Sequence, residues 1–567
     1  MRGRERLLFV AAAVLVFLAG CRRDEPVDVL PEPPASYQAL VGAWREGRGY
    51  LDTRTLASFS KVFFSDGSSI VVPKEEWTIE DCTETVPRTV RYDAGSGRWI
   101  LDGTDTGLER VNGNFEKAFP VYAWHDLRYL KVFASNGDTL SFDNGWEPEA
   151  DPENPDPSVE PGEKNHFDEY LHNKEIPASY AIPEVYIFTE GGKPIDSKQN
   201  YVNATFRFRD PSKFWSDTYE LEVTGKIRGR GNTTWGMPKK PYRVKLDEKT
   251  KVFGLYGNRD WILLANYSDK SLLRNITMME VSRIAGMSWT PRMLSVNVYL
   301  NNQYVGVYAF CDHKEIAGHR VNIEVVTPQD NAGEALTGGY YLELEEAMDE
   351  PVCFKTVWDT PVMFHEPEYP TEAQQKYVKD WFNGFEDALS RVQGGDYESW
   401  RKYIDRDSFV NYYIIQEIAK NPDGNVRKST YLTKERNKPL EMYHVWDFDI
   451  TLGNCNYTNF EKPDGWQMRY VKWYNQLFFD PEFKQAVVDR WKELYPSLRE
   501  VPAFIDRQHR MMDGAEDANF RTWDILGKYV WPNFYYFGTY QEEYDFLVSY
   551  YNDRLDWLNG MITSEQF

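Results

Sequence analysis

The chain has 567 residues, of which 42% are hydrophobic, and a formal net charge of -23 at pH 7. A surface with this much negative charge repels the phosphates of nucleic acids, which argues against a nucleic-acid-binding protein. The five cysteines are scattered without a C-x-x-C pair, which argues against a disulfide framework and a structural zinc site. A chain several times longer than a typical domain predicts more than one domain.

The N-terminus carries a basic, then an apolar, then a small-residue segment. Three arginines within the first six residues precede an apolar run over residues 7–18. Because a bilayer requires about 20 apolar residues, this run is typical of a signal peptide rather than of a membrane-spanning helix. Ala19 and Gly20 stand directly before Cys21, which resembles a bacterial lipobox. We expect residues 1–20 to be removed and Cys21 to be lipidated; the alternative is an ordinary signal peptide with a chance cysteine.

Two further segments are too charged and too rich in proline to fold. Residues 21–35 are predicted to be a tether, in which Asp24-Glu25 resembles the signal that directs some lipoproteins of the Bacteroidetes type to the outer face. A solvated tether has the same composition. Seven acids and five prolines over 147–163 predict a linker at residues 146–164. We expect a lipid-anchored envelope protein of the outer membrane, periplasmic or surface-exposed, with the anchor as its only membrane contact.

Residues 36–145 are predicted to form a small all-β domain. Short β-rich runs recur through this region, at residues 58–64, 69–72, 89–92, 98–101 and 127–133. Asp-Gly and Asn-Gly pairs between the runs predict turns, so we expect an antiparallel sandwich or barrel. The opening segment Leu40-Val41-Gly42-Ala43-Trp44 resembles the start of lipocalin-like domains.

The remaining region, residues 165–567, is predicted to be globular, with strands first and helices later. The elements expected in it, in chain order, are a helix over 269–285 ended by Gly286, a hairpin of 295–300 and 303–310 joined by Asn301-Asn302, helices over 371–391 and 407–419, and a strand segment over 430–450. This order predicts a two-lobed α+β architecture.

A basic segment departs from the acidic composition of the chain. Between residues 226 and 246 there are seven cations and no acid: Lys226, Arg228, Arg230, Lys239, Lys240, Arg243 and Lys245. Two glycines within residues 228–234 let the backbone approach an anion. Strand periodicity then puts Arg243 and Lys245 on one face and the apolar positions on the other. The pattern favours triphosphate binding, although a solvated basic edge strand has the same composition.

An acidic group stands on either side of a predicted hairpin. Asp423 precedes the hairpin and Asp447 follows it, so the two lie at the same end. Strand alternation then places Asp447 and Asp449 on one face and Trp446 and Phe448 on the other. Convergent carboxylates suit Mg²⁺ beside phosphate oxygens, with one left to accept a hydroxyl proton. A turn with ordinary loop carboxylates, or a Ca²⁺ site, would give the same pattern.

Two glutamates form a third, less specific group. Glu343 and Glu345 follow a Gly-Gly turn at residues 338–339 and share one face of a predicted strand. Either could pair with a nucleotide-binding lysine, as in protein kinases. A solvated strand face is the alternative.

These segments together resemble the CotH-type (spore coat protein H) family of atypical secreted protein kinases. The motifs stand in family order: Arg228-Gly229-Arg230-Gly231-Asn232 within 226–235, then 239–243, 261–270 with 273–275, 304–308, 338–343, and Trp446-Asp447-Phe448-Asp449. The resemblance covers roughly residues 180–455.

The resemblance implies a kinase fold that binds ATP with Mg²⁺ or Mn²⁺ and phosphorylates Ser or Thr of secreted or surface proteins. It makes Asp423 the catalytic residue, and Asp447 and Asp449 the metal ligands. The residues that it implies for nucleotide binding are Arg228, Arg230, Lys240, Arg243, Lys245 and Glu343.

Two positions depart from the family pattern. The family often has Asn shortly after the catalytic Asp, whereas residues 428–430 here are Lys-Ser-Thr, which weakens the second metal contact. Asp312 stands where the family tends to have Glu. The alternative function is therefore a catalytically inactive surface lipoprotein of this type, acting as a structural or glycan- or protein-binding module.

Overall fold

A computed structural model describes strand backbones between residues 50 and 143, and then residues 166–512 and 514–564. The chain divides into two compact units, Met1–Ala150 and Asp151–Phe567. Cys21, the predicted tether and the predicted linker lie outside the described residues. Within the described residues, no helix is both long enough and apolar enough to cross a membrane. Cys311, Cys353 and Cys455 are free thiols.

The first unit is rich in antiparallel β-structure. Its described strands are β1 (Tyr50–Thr55), β2 (Phe59–Phe64), β3 (Ser69–Pro73), β4 (Ile79–Thr83), β5 (Val86–Asp93), β6 (Arg98–Leu101), β7 (Thr104–Glu109), β8 (Phe115–Ala123), β9 (Asp126–Ala134) and β10 (Thr139–Asp143). They pair as sheets in the orders β1-β2-β3, β4-β5-β6-β7 and β10-β9-β8. The β-rich character is confirmed, whereas the lipocalin-like assembly stays a prediction.

The second unit begins with a closed barrel. Its strands are β11 (Glu184–Thr189), β12 (Val202–Arg209), β13 (Glu220–Gly229), β14 (Tyr242–Thr250), β15 (Asn258–Leu264), β16 (Met293–Leu300) and β17 (Gln303–Asp312). They follow the order β11-β12-β13-β14-β15-β17-β16, and β11 and β16 close the ring as a parallel pair. Alternation turns apolar side chains such as Ile187, Phe206 and Val244 into a fully buried interior.

A five-stranded sheet and a group of helices follow the barrel. The strands are β18 (Tyr340–Leu344), β19 (Cys353–Lys355), β20 (Pro361–Glu366), β21 (Thr430–Lys434) and β22 (Leu440–His444), in the order β19-β20-β18-β21-β22. The described helices are α1 (His166–His172), α2 (Arg274–Ala285), α3 (Glu372–Val392), α4 (Arg406–Ala419), α5 (Lys472–Leu477), α6 (Pro481–Leu498), α7 (Val501–Met511), α8 (Ala515–Thr522) and α9 (Tyr540–Thr563). The α+β class is confirmed, and the division into two kinase-like lobes stays a prediction.

Local signals explain where several elements begin and end. Asn301 and Asn302 both have a positive φ, 49° and 67°, as a tight turn between β16 and β17 requires. Thr371 caps α3 in a reciprocal capping box with Gln374. The predicted hairpin and the predicted helices over 371–391 and 407–419 are therefore confirmed within one or two residues.

The helix predicted over 269–285 begins later than its pattern indicates, at Arg274. The carboxylate of Asp269 accepts hydrogen bonds from the backbone N–H of Ser271 and of Arg274, at 3.2 and 2.9 Å. Leu272 has a φ of 61°, so the chain makes a turn before the helix starts. At the other end, Gly286 adopts the left-handed conformation with a φ of 72° and ends the helix as predicted.

Candidate active site

The loop that carries Asp423 is positioned by the end of α4. Lys420 ends the helix in the left-handed conformation, with a φ of 46°. Its ammonium donates to three backbone carbonyl oxygens within residues 459–464, at 2.5–2.9 Å. The side-chain oxygen of Asn421 accepts from the backbone N–H of Asp423 at 2.9 Å. The loop therefore leaves the helix in a defined direction.

Asp423 is a partly accessible carboxyl with a perturbed pKa. Burial and the negative charge of Asp447 raise its pKa to about 6. The ammonium of Lys428, 3.8 Å from the carboxylate, opposes part of that shift. The Lys428 ammonium also forms an ion pair with the carboxylate of Glu346, at 2.9 Å. Because 25% of the Asp423 side chain is exposed, an external hydroxyl group can approach it.

The segment with Asp447 is not a strand, and the predicted alternation is wrong. Strand β22 ends at His444, and Asp447 adopts a left-handed conformation with a φ of 68°. Trp446 and Phe448 are both buried, and the backbone N–H of Phe448 donates to Asn275 on α2 at 2.9 Å. A non-glycine residue in this backbone region is held there by its surroundings, often at functional sites.

Asp449 lies deeper than Asp447. It is 9% exposed, and its carboxylate is 3.4 Å from the hydroxyl of Ser268. Burial raises its pKa well above the usual range, and the charges of Asp447, Asp269 and Asp423 add to the effect. The carboxyls of Asp423, Asp447 and Asp449 are therefore largely removed from solvent and close enough for their negative charges to repel one another. We call them the acid cluster. Such a cluster favours a cation.

Lys314 is a site residue that the sequence reasoning missed. It follows β17, and its ammonium donates to the hydroxyl of Tyr431 and lies 3.8 Å from the centre of that ring. Burial lowers its pKa, while the charges of Glu343 and Asp447 oppose that shift. In the sequence, Lys314 is marked only by its position two residues after the strand over 303–312, and no spacing rule identifies a lysine there as a site residue.

Glu343 is the next-to-last residue of β18, and its carboxylate interacts electrostatically with Lys314. Burial alone would raise its pKa, but the positive charge of Lys314 and a 2.5 Å hydrogen bond with His365 lower it to about 2. The carboxylate is therefore ionised at neutral pH beside a buried lysine. Glu345 lies beyond the end of the strand and accepts from the backbone N–H of Ala347 at 3.1 Å.

Among the predicted nucleotide-binding cations, Arg230 lies nearest to the acid cluster. Its positive charge lowers the pKa of Asp447, against the larger effect of burial. Its guanidinium carbon is 5.8 Å from the ring centre of Trp446. Arg230 and Lys314 thus place two positive charges beside Asp447.

The other predicted cations are held by different partners. Arg228 donates to the carbonyl of Lys198, and Lys240 donates to the carbonyl of Trp235 at 2.7 Å. Arg243 and Lys245 share one face of β14, opposite the buried residues Tyr242, Val244 and Leu246, as predicted. Arg243 pairs with Asp260 at 2.7 Å, and Lys245 stands opposite Asp260 in the register.

Asp312, the second departure from the family pattern, belongs to a buried ion pair. Its carboxylate lies 3.1 Å from the guanidinium of Arg320, and both side chains are almost fully buried. It also accepts from the backbone N–H of Arg292 at 3.0 Å. These contacts assign Asp312 a role in stabilising the barrel end.

A family model matches most of the second unit of the chain. The family model described as CotH kinase protein matches residues 227–558, more than half of the 567-residue chain, and this range includes the whole acid cluster. No curated protein matches the chain.

Proposed function

The chain belongs to the CotH kinase protein family, and from that premise we propose that it transfers the γ-phosphate of ATP to Ser or Thr residues of secreted or surface proteins. We also propose that it does so as an exported, lipid-anchored protein. Family membership suggests an atypical kinase-like activity. The observation that carries the proposal further is the convergence of the acid cluster with Lys314 and Arg230.

We propose that two carboxylates of the acid cluster hold a divalent cation; among the described residues, the group of three whose possible ligand atoms already lie within 4.8 Å of one another is instead Asp260, His313 and Glu315. Its carboxyls have raised pKa values because they are buried and repel one another. Asp447 and Asp449 would hold Mg²⁺ or Mn²⁺ through carboxylate oxygens, which are the ligands these ions prefer. The bound cation would neutralise charge on the phosphate oxygens.

Asp423 is proposed to accept the proton of the acceptor hydroxyl. As that oxygen forms its bond to the γ-phosphorus, the bond from phosphorus to the β–γ bridging oxygen breaks and ADP leaves. Lys428, 3.8 Å from Asp423, lies in the stretch 428–430, where the family often has Asn. It supplies a positive charge beside the base rather than an oxygen ligand for a second metal ion.

Lys314 and Arg230 are proposed to contact the phosphates. Glu343 is ionised, and its negative charge favours the ammonium form of Lys314, which is the electrostatic role of the glutamate in a kinase Lys–Glu pair. Arg243 and Lys245 lie on the same face of β14, where Asp260 pairs with Arg243 and stands opposite Lys245, so a phosphate group bound there would compete with that carboxylate. Arg228 and Lys240 would shape the adjoining loop through their carbonyl contacts.

Calorimetric titration of ATP into the purified full-length protein tests the proposal. We expect binding with Mg²⁺ and at least about tenfold weaker binding in EDTA, because unneutralised carboxylates repel the triphosphate. Asp447→Asn should remove the Mg²⁺ dependence. Asp387→Asn is a matched control, since Asp387 is a surface residue with 69% exposure on α3. Absence of ATP binding to the wild-type protein at millimolar concentrations would refute the kinase assignment.

The rate of transfer should depend on pH through Asp423. With a pKa of about 6, the carboxylate predominates above that pH. We expect kcat/KM to fall below the pKa of Asp423 and to level off above it, with a midpoint below 6 when Mg²⁺ is bound, because a cation on Asp447 offsets the repulsion that raises the pKa of Asp423. Ionisation is harder in the folded state than in the unfolded chain, so Asp423 should also reduce stability as pH rises from about 4 to about 6. Asp423→Asn should lack this part of the pH dependence of the unfolding free energy; an unchanged profile would contradict the perturbed pKa.

The Lys-Ser-Thr stretch at residues 428–430, where the family often has Asn, favours one second candidate, an inactive family member that acts as a binding module. The Lys428 ammonium, close to Asp423, could occupy the space of a second metal ion. A variant with both Asp423 and Asp447 changed to Asn separates the two functions. Failure of this variant to complement a deletion of the gene supports the kinase, and full complementation supports the binding module.

A further inference from the structure

The second half of α2 borders a cavity of about 390 Å³. The rest of its wall comes mainly from α1, from residues 286–292 between α2 and β16, and from the turn at residues 317–320. Ser288 and Gly318 in this wall are exposed, so a small molecule can reach the cavity from solvent. Its volume lies in the range of small-molecule sites, about 300–1,000 Å³.

The cavity and the acid cluster lie at different ends of α2. Asn275, in the first turn of the helix, accepts from the backbone N–H of Phe448 and so holds the segment of the acid cluster. Met279, Glu280 and Arg283 line the cavity. With a rise of 1.5 Å per residue, about 12 Å separates Asn275 from Arg283 along the helix axis. None of the described residues that line the cavity belongs to the acid cluster, so the two sites can be tested separately.

One part of the cavity wall is apolar. Six of its side chains are hydrophobic and at most 9% exposed: Phe167, Leu171, Met279, Met287, Met293 and Phe504. Three of them are methionines, whose flexible side chains adapt to the shape of a ligand and make favourable contacts with aromatic rings. This part of the wall suits a hydrocarbon or aromatic body.

The polar part of the wall has donors that lack acceptors. Trp289 is 5% exposed, and its indole N–H has no hydrogen-bond acceptor among the described residues. The same holds for Nε and Nη1 of Arg292, three residues further along the chain. Among the described residues that line the cavity, no buried side-chain oxygen lacks a partner. A buried donor without an acceptor is unfavourable, so the wall favours a ligand that brings acceptors.

The charged groups of the wall favour an anion over a cation. Both carboxylates that line it are already paired, Asp168 with Arg292 at 3.4 Å and Glu280 with Arg283 at 2.5 Å. Arg292 donates a hydrogen bond only through Nη2, so the charge of its guanidinium is not fully used.

These donors discriminate between classes of ligand. A sugar hydroxyl brings a donor with each acceptor, and a neutral hydrocarbon brings neither. A carboxylate brings acceptors alone, together with a negative charge that a guanidinium attracts.

We propose that this cavity binds a small carboxylic acid, whose carboxylate accepts hydrogen bonds from Trp289 and Arg292 and whose hydrocarbon or aromatic body packs against the methionines and phenylalanines. The inference goes beyond the proposed function and does not depend on it, because it uses none of the residues proposed to bind ATP or to accept a proton. It adds a second small-molecule site to the chain.

Calorimetric titration of two probes into the purified full-length protein tests the inference. The probes are phenylbutyrate and phenylbutanol, which share a body and differ in the carboxylate. We expect the acid to bind at least about tenfold more tightly than the alcohol. Trp289→Phe keeps an aromatic ring but removes the N–H, so it should weaken binding of the acid and reduce that difference.

Gly318→Phe tests the location of the site without removing a contact. A Cβ at Gly318 would have no neighbour within 4 Å, so a phenyl group there can fill part of the cavity. We expect at least about tenfold weaker binding of the acid and an unchanged unfolding midpoint. Gly560→Phe on α9 is the matched control, because a Cβ there also has no neighbour within 4 Å and Gly560 lies outside the cavity.

The remaining outcomes overturn the inference. Equal affinity for the acid and the alcohol does so, as does no binding of the acid at millimolar concentrations. Unchanged binding of the acid in both Trp289→Phe and Gly318→Phe places it elsewhere on the protein. Full competition between phenylbutyrate and ATP with Mg²⁺ places it in the nucleotide site. Each of these results leaves the kinase proposal standing, since that proposal fails only through the binding or transfer of phosphate.

Discussion

Changing Asp423 to Asn should lower the rate of phosphoryl transfer by about 10²–10⁴-fold. The amide cannot accept the proton of the acceptor hydroxyl, although it fills the same space. ATP affinity in the presence of Mg²⁺ should stay within about threefold of wild type, because Asp447 and Asp449 are unchanged. Single-turnover transfer from labelled ATP measures the first quantity, and calorimetry measures the second.

The same variant should fold at least as well as the wild-type protein at neutral pH. Asp423 is repelled by Asp447, so removing its charge removes an unfavourable interaction. A loss of activity with a lowered unfolding midpoint would indicate damage to the fold instead. Wild-type activity in Asp423→Asn would exclude this residue as the base. Asp387→Asn controls for the removal of a carboxylate from the surface.

Changing Arg554 to Ala should destabilise the protein by about 3–5 kcal/mol, the cost of leaving a buried charge without its partner. Arg554 on α9 is fully buried, and its guanidinium lies 2.8 Å from the carboxylate of Glu417 on α4, which is 1% exposed. It also donates to the carbonyls of Pro463 and Gly465 at 2.8 and 2.7 Å. Urea unfolding followed by tryptophan fluorescence measures the change.

Two further variants define the origin of that loss. Arg554→Ala combined with Glu417→Gln should recover part of the stability, because the double variant leaves no unpaired charge. Arg499→Ala is the matched control, since Arg499 forms an exposed pair with Asp556 at 2.9 Å, and it should cost less than about 1 kcal/mol. Equal losses for Arg554 and Arg499 would show that the buried pair contributes no more than a surface one.

The sequence was sufficient to predict much of the candidate site because its signals are local. A hairpin must bring Asp423 and Asp447 to the same end, whatever the rest of the fold does. Strand periodicity likewise placed Arg243 and Lys245 together on β14. Tight turns and capping residues gave the ends of α3 and of the β16–β17 hairpin.

The errors arose where tertiary contacts override local preference. Strand alternation could not describe Asp447, because its backbone leaves the strand and is held by buried neighbours and by α2. Lys314 was missed because its role depends on Tyr431 and Glu343, which are far away in the chain. The start of α2 was misplaced because Asp269 stabilises a turn instead of the first helical residues.

The parallel pair that closes the barrel has a consequence for how the chain folds. Strand β11 pairs with β16 through residues 184–187 and 297–300, so one of its edges stays open until more than a hundred further residues have been made. Open strand edges pair readily with other chains, and contacts between distant residues form slowly. A chain that ends before residue 297 therefore leaves this edge of β11 open, and we expect such a fragment to aggregate more readily than the full-length protein.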